Sequence, residues 1–414
     1  MKLTFWEWAR YWVLLLLVVL ITISSHPTIM AMTYAAGIEN GTILSRYIIM
    51  VFGALFVMCL NPKSMLKSKM IRKCWFLWFF IVLYYLIVLA IFGKRSMMGD
   101  VRSIAICLVA IMIGWQMDLN EKRFKILLLV FSGVILYAGL MQVFTNVGGF
   151  VILDQYHTDN KNSLGVMLST GAIIFLILAM NSQKKPILRV VYYVLAVLTF
   201  VVLLTIRARA ASLTTILMVL YVLYERFKGK NFILYLGLGL ALLVIVYLVL
   251  PSSAKEFVYN SFFQNYEGGD VTGGRTERNI AALEVLAGHP FLGNLDQNVS
   301  VGWVHNYPLN KLFEYGLVFA FPVLLLYLYL LFLTTVKTIR SDNHNNYNIG
   351  YYLLIIPFII SMVEPTFPFG PGTATVFNFI IFGMALKYAE NEMEINFEED
   401  YVQESDRIEK EPAL

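Results

Sequence analysis

The sequence predicts an all-α protein that crosses a membrane about twelve times, each crossing a run of roughly twenty apolar residues. Three observations carry that expectation. Hydrophobic residues make up 59% of the chain and charged residues only 14%, where a soluble domain carries about 25% charged residues. The mean hydropathy is +0.69, and no water-soluble fold could hide that much apolar surface, so the solvent is a bilayer. Basic residues also recur in every second connection between apolar runs, the pattern of loops retained on the cytoplasmic side.

Lys2 and Arg10 precede the first apolar run, as in a signal peptide. The run from Tyr11 to Ile23 is long, however, and no small-residue cleavage site follows. It reads as a retained first span. Further spans begin near Leu44, Trp75, Val101, Phe124, Ser163, Ile187, Ala210, Asn231, Tyr307, Gly350 and Pro371. Pro and Gly interrupt the last two. The basic connections carry Lys63, Lys67, Lys69, Arg72 and Lys73, then Lys122, Arg123 and Lys125, then Lys184, Lys185 and Arg189, then Arg226, Lys228 and Lys230, and finally Lys337 and Arg340. Their alternation puts both termini on the cytoplasmic side. The net charge of +5 is modest and reads as membrane orientation, not nucleic-acid binding. Cys59, Cys74 and Cys107 lie in or beside apolar segments without metal-ligand spacing, which argues against a disulfide framework and a zinc site.

One external connection stands out, Pro251 to Val304, long, polar and rich in Gly and Asn. Loops above about 15 residues are usually functional or disordered. Within it Thr276 to Ala287 reads as a short helix, with Ile280, Leu283 and Leu286 or Ala287 at helical spacing before Gly288 and Pro290 stop it. The expected organisation is membrane helices over 1–250, a large external loop over 251–306, membrane helices over 307–388 and an acidic cytoplasmic tail over 389–414.

Three external segments carry candidate chemistry. At the junction of spans seven and eight, Arg207 and Arg209 stand at a membrane edge. They either snorkel to headgroups or form an anion site. Two apart on one helix, they would point about 200° apart, so both face one pocket only where the backbone unwinds. In the long loop, Gly273-Gly274-Arg275-Thr276-Glu277-Arg278 leads into the short helix. Guanidinium and backbone N–H groups at a helix start make a phosphate clamp, the plain alternative being an exposed arginine in a glycine loop. Before span ten, His305-Asn306-Tyr307-Pro308 places Asn306 as an N-cap and Pro308 in the first turn. A histidine at the positive helix end favours the neutral imidazole, which accepts protons; the alternative is a capping or interfacial histidine. His157 with Asp154 and Asp159 reads as a solvated loop and His289 as a helix end, while Glu364-Pro365 and Gly370-Pro371-Gly372 read as a broken re-entrant turn of the kind that can line a cavity, a plain turn being the alternative.

Taken together, these segments resemble the bacterial O-antigen polymerase and O-antigen ligase family over roughly spans seven to ten and the long loop; the first half matches in hydropathy alone. The family has an Arg after a small residue at this junction, matched best by Ala208-Arg209-Ala210, with Arg207 as an off-register rival. Its loop Arg, Ala-Leu helix and His-Pro-Leu-x-Gly are matched by Arg275, Ala282-Leu283 and His289-Pro290-Phe291-Leu292-Gly293. Its His-Asn, Leu and Glu-x-Gly are matched by His305-Asn306, Leu309 and Glu314-Tyr315-Gly316. Asn279 stands where the family has Trp, and Asn294 interrupts a Gly-x-Gly.

The resemblance implies an architecture similar to the GT-C class of lipid-linked glycosyltransferases. It implies a donor glycan on undecaprenyl diphosphate, a glycan acceptor, surrounding membrane lipids, and work alongside flippase and chain-length regulator proteins. No metal or nucleotide cofactor is implied. The site would face outward from a bacterial inner or plasma membrane. Arg209 and Arg275 would bind the diphosphate and His305 would take the acceptor proton, with Arg207, Arg278 and Asn306 binding substrate. Polymerase, ligase, and a transporter or flippase remain as readings at this stage, the last calling for paired charges and broken helices at mid-membrane.

Overall fold

The computed structural model describes residues 5–23, 68–117, 119–146, 161–227, scattered positions between 233 and 259, 274–340, 348–370 and 374–390. All regular structure among them is helical. The expected spans near Leu44 and Asn231, the residues around His157, and the chain from 391 onward lie outside the described residues.

The helices are α1 (Phe5–Ile23), α2 (Lys69–Phe92), α3 (Met98–Gln116), α4 (Glu121–Asn146), α5 (Lys161–Asn181), α6 (Pro186–Thr205) and α7 (Arg209–Arg226). They are followed by α8 (Arg275–Gly288), α9 (Tyr307–Arg340), α10 (Ile349–Ile360) and α11 over 376–390. Six of the described helices, α2 to α6 and α9, are long and apolar enough to cross a bilayer, and the chain is a helical membrane protein. Their outward faces are what a hydrocarbon solvent calls for. On α6, Ile187, Val190, Val194 and Val197 form an exposed stripe at helical spacing, and only 11% of the apolar window of α2 is buried.

The centre of the bundle is α5, 94% buried over its apolar window, with α4, α6, α7 and α10 packed around it. Small residues let these helices close up, since lipid offers no hydrophobic drive to hold them together. A Cβ at Gly165 would lie 2.6 Å from Ala208 Cβ. Thr215 donates to Ser169 Oγ at 2.8 Å, and Asn378 of α11 donates to Thr170 Oγ1 at 3.0 Å.

Short connections at 93–97, 182–185 and 206–208 turn the chain back between successive helices, so the bundle has two chemically distinct ends. Lys69, Lys122, Lys184 and Arg226 mark one. There α11 runs on to Glu390, which accepts hydrogen bonds from Ser68 Oγ at 2.7 Å and Trp115 Nε1 at 2.9 Å. Glu390, expected in the acidic tail, therefore belongs to a packed helix. The opposite end carries the α6–α7 junction, α8, the start of α9 and the turn after α10.

Two expectations are corrected. The loop helix forms where expected, but Ile280 and Leu283 point outward, and the packed face is Ala282 with Val285 against Val301, Val304, Leu309 and Phe313. The region after Gly350 is not a full span: α10 has 12 residues, about 18 Å at 1.5 Å per residue, short of a 30 Å hydrocarbon core. Residues 364–370 that follow are almost wholly buried. Irregular backbone is tolerated at such a place only when protein surrounds it or a cavity faces it.

Candidate functional site

At the α6–α7 junction the helix does unwind. Arg207 adopts a left-handed backbone, φ 55°, uncommon for a side chain of this size and a mark of local strain. Its N–H reaches Leu204 O at 3.0 Å, and Arg209 N–H donates to Arg207 O at 3.0 Å before α7 begins. The close approach of Ala208 to Gly165 holds this break against α5. Arg207 is buried, 5% exposed. Both arginines, together with Arg275 and Glu364, lie within electrostatic reach of Lys161 at the start of α5. The junction between α6 and α7 is therefore not one continuous helix.

The start of α9 is sewn to the turn after α10. Asn306 Oδ1 accepts from Leu309 N–H at 2.9 Å, the expected N-cap. Its Nδ2 donates to Met362 O at 3.0 Å, and Tyr307 N–H donates to Ser361 O at 2.8 Å. This stitching sets the position of Glu364, 3% exposed. Arg275 Nη2 pairs with Glu364 Oε1 at 2.7 Å, and Arg275 Nη1 donates to Val363 O at 3.2 Å. The other carboxylate oxygen, Oε2, lies 3.7 Å from His305 Nδ1. Glu364 therefore stands between the loop arginine and the histidine.

His305 is polarised by its neighbours. Its Nε2 lies 3.5 Å from Arg278 Nη1, and a guanidinium only donates. A hydrogen bond between them would use the Nε2 lone pair and place the ring proton on Nδ1, the nitrogen on the Glu364 side. Nδ1 is buried and has no hydrogen bond among the described residues. Arg278 itself lies along the loop backbone: a Cβ at Gly302 would be 3.6 Å from its Cδ.

A second charged cluster lies at the same end. Lys311 Nζ meets Asp100 Oδ2 at 2.9 Å and Glu314 Oε2 at 2.7 Å. Tyr315 donates to Asp100 Oδ2 at 2.8 Å. This group joins α3 to α9 and forms part of the wall of a cavity of about 660 Å³.

The long loop is fixed to α9 through backbone. Gly316 has φ 66° and ψ 177°, a region open essentially to glycine alone. The break diverts Leu317 N–H to Pro290 O at 2.9 Å and Val318 N–H to Phe291 O at 3.2 Å, and Asn294 N–H takes the vacated Phe313 O at 2.8 Å. The segments 289–294 and 313–318 thus satisfy each other's orphan groups.

Arg207, Arg209, Arg275, Arg278, His305 and Asn306 all lie at this end. Arg275, Arg278 and His305 are linked through Glu364 and the His305 ring, and Asn306 holds the framework. Sequence reading placed Glu364 in a turn without its charged partners and did not single out Lys161 or Asp100. Among the described residues no three His, Cys, Asp or Glu side chains converge as metal ligands. No protein-family model and no curated protein sequence matches the chain.

Proposed function

We propose that the chain is a polysaccharide polymerase. It would transfer a glycan from undecaprenyl diphosphate to the non-reducing end of another lipid-linked repeat, at the outer face of a bacterial inner or plasma membrane. About twelve spans and a GT-C-like architecture belong to this reading. One observation carries it: Glu364 joins Arg275 to His305 at the bundle end opposite the basic connections, with Arg207, Arg209 and Lys161 in electrostatic range.

That arrangement suits glycosyl transfer from a diphosphate. The bond from the anomeric carbon to the diphosphate oxygen breaks, and its electron pair leaves with undecaprenyl diphosphate. Fixed cations aimed at the charge as it develops lower the barrier. Arg207, Arg209 and Arg275 supply them, and Lys161 adds to their field. Arg278 swings from His305 to the diphosphate when donor enters. The freed Nε2 then takes the proton of the acceptor hydroxyl as that oxygen bonds to the anomeric carbon. Attack opposite the leaving group inverts the configuration. Glu364 holds the Nδ1–H side of the ring and orients Arg275, a positioning role. Flippase and chain-length regulator proteins are the partners such a reaction calls for.

The test is chain growth from purified lipid-linked repeats in nanodiscs. Glycan ladders should form with EDTA present, and Arg275→Ala and His305→Ala should abolish them in folded protein. Loss with EDTA that a divalent ion restores would refute the scheme, and wild-type growth in either variant would remove that residue from it. Transfer to lipid A core instead would mark a ligase. A transporter reading has one observation in its favour, the buried Asp100–Lys311 pair beside the Gly316 break. Vesicle uptake without chain growth would establish it.

A further inference from the structure

The cavity walled by Asp100 and Lys311 differs in chemistry from the arginine cluster, although the two adjoin. Pro365 and Thr366, which line it, follow Glu364 directly, and Gly302 and Trp303 on its rim precede His305. Among the described residues no arginine lines it, and its lysine is already held by two carboxylates. The remaining polar lining is uncharged, with hydroxyls from Ser103 and Ser300 and amides from Asn298 and Asn310. Such groups donate and accept hydrogen bonds alike, as sugar hydroxyls do. A second diphosphate finds no counter-charge there. Trp303 is 65% exposed at the rim, a flat apolar face beside polar groups, as a sugar ring with its C–H faces and hydroxyl edge requires. About 660 Å³ lies within the range of small-molecule sites and has room for a short oligosaccharide.

We infer that this cavity is the acceptor subsite and that it holds the uncharged, hydroxyl-rich end of a glycan a few sugars long. The inference rests on the glycosyl-transfer reading above. The rim meets the site at Gly302, against which Arg278 lies while its guanidinium reaches His305 Nε2. A terminal hydroxyl leaving the cavity past Gly302 arrives at that nitrogen. The charge is thereby divided: cations on one side of the 364–366 turn hold the diphosphate, and neutral polar groups on the other hold sugar.

The experiment measures binding of the glycan repeat, freed from its lipid by mild acid, to the full chain in nanodiscs by calorimetry. Wild type should bind it. Trp303→Ala should weaken binding about tenfold, the loss of one stacking contact, while Trp303→Phe restores most of it. Added inorganic diphosphate should not displace the repeat, because the arginines proposed to hold diphosphate do not line the cavity. Ser300→Trp, which fills the mouth, should abolish binding; all three variants at Trp303 and Ser300 should unfold at the wild-type temperature. Equal binding by wild type and Trp303→Ala overturns the assignment and leaves Trp303 an interfacial anchor. So does an absence of binding in a wild-type protein that elongates lipid-linked repeats, and in that case the glycosyl-transfer reading survives. Trp303-dependent binding without any chain growth supports the saccharide site and defeats the transfer reading instead.

Discussion

Asp100 and Glu364 are both buried carboxylates at one end of the bundle, and their neighbours treat them differently. Asp100 Oδ2 is met by Lys311 at 2.9 Å and by the Tyr315 hydroxyl at 2.8 Å, and Glu314 completes the lysine's shell at 2.7 Å. Every partner belongs to α3 or α9, and the distances are those of strong charge-assisted bonds. Glu364 has one short bond, to an arginine 35% exposed on its side chain, and a longer approach of 3.7 Å to a histidine. That histidine lies at 3.5 Å from a second arginine. The first cluster is closed on itself and fixes two helices. The second is looser: part of the Arg275 guanidinium is exposed, and the histidine meets its charged neighbours only at long range. A buried ion pair by itself separates neither case; how completely its members are satisfied does.

The largest effect tests the closed cluster. Lys311→Ala leaves Asp100 buried without its cation, and breaking one side of such a pair costs about 3–5 kcal/mol. The thermal midpoint in detergent should fall sharply, and the double change Asp100→Asn with Lys311→Met should regain most of it. A small shift in the single variant would mean that the clamp holds little. Next comes the open cluster. Arg275→Ala should lower kcat for chain growth about 10²–10³-fold, the range for removing one charge-stabilising donor, whereas Lys185→Ala at the basic end should leave it unchanged. Equal losses would erase the distinction between the two ends. Gly316→Ala puts a Cβ 2.5 Å from Gly293 N and forces alanine into a glycine-only backbone, at about 1–3 kcal/mol. Limited proteolysis of the 289–304 loop should accelerate. The smallest effect is Asn306→Ala, about 1 kcal/mol for a lost N-cap. Because Asn306 also holds Met362 O, turnover should fall further than stability, and a loss confined to stability would reduce Asn306 to a cap.

Much of this was legible in the sequence, and the misses share a cause. The start of α9 could be read from Asn306 and Pro308 because capping is local chemistry. The need for unwinding between Arg207 and Arg209 could be read from helix geometry alone. Glu364 could not: a carboxylate before proline in a segment rich in Pro and Gly has the signature of a turn, and its meaning comes from an arginine 89 positions away. Lys161 and Lys311 did leave a signal. Lys161 opens its helix, where a cation meets the positive end of the dipole, at the bundle end opposite the basic connections, and Lys311 sits one turn into α9 with Glu314 three residues on. A residue placed against two local preferences answers to a distant partner. The packed face of α8 was misread because Ala282 is small: its position against Phe313 and Val304 decides burial, while the larger Ile280 and Leu283 dominate any hydrophobic count.

The exchange of hydrogen bonds between 289–294 and 313–318 makes two separate stretches of text a single mechanical part. Neither can be rewritten alone. A residue added within 291–293 shifts the register of carbonyls and strands the amides of Leu317 and Val318, whereas one added near Gln297, on the solvent side of the lock, leaves the register intact. Grafting the loop onto another scaffold therefore means carrying along the broken turn of α9 that reads it.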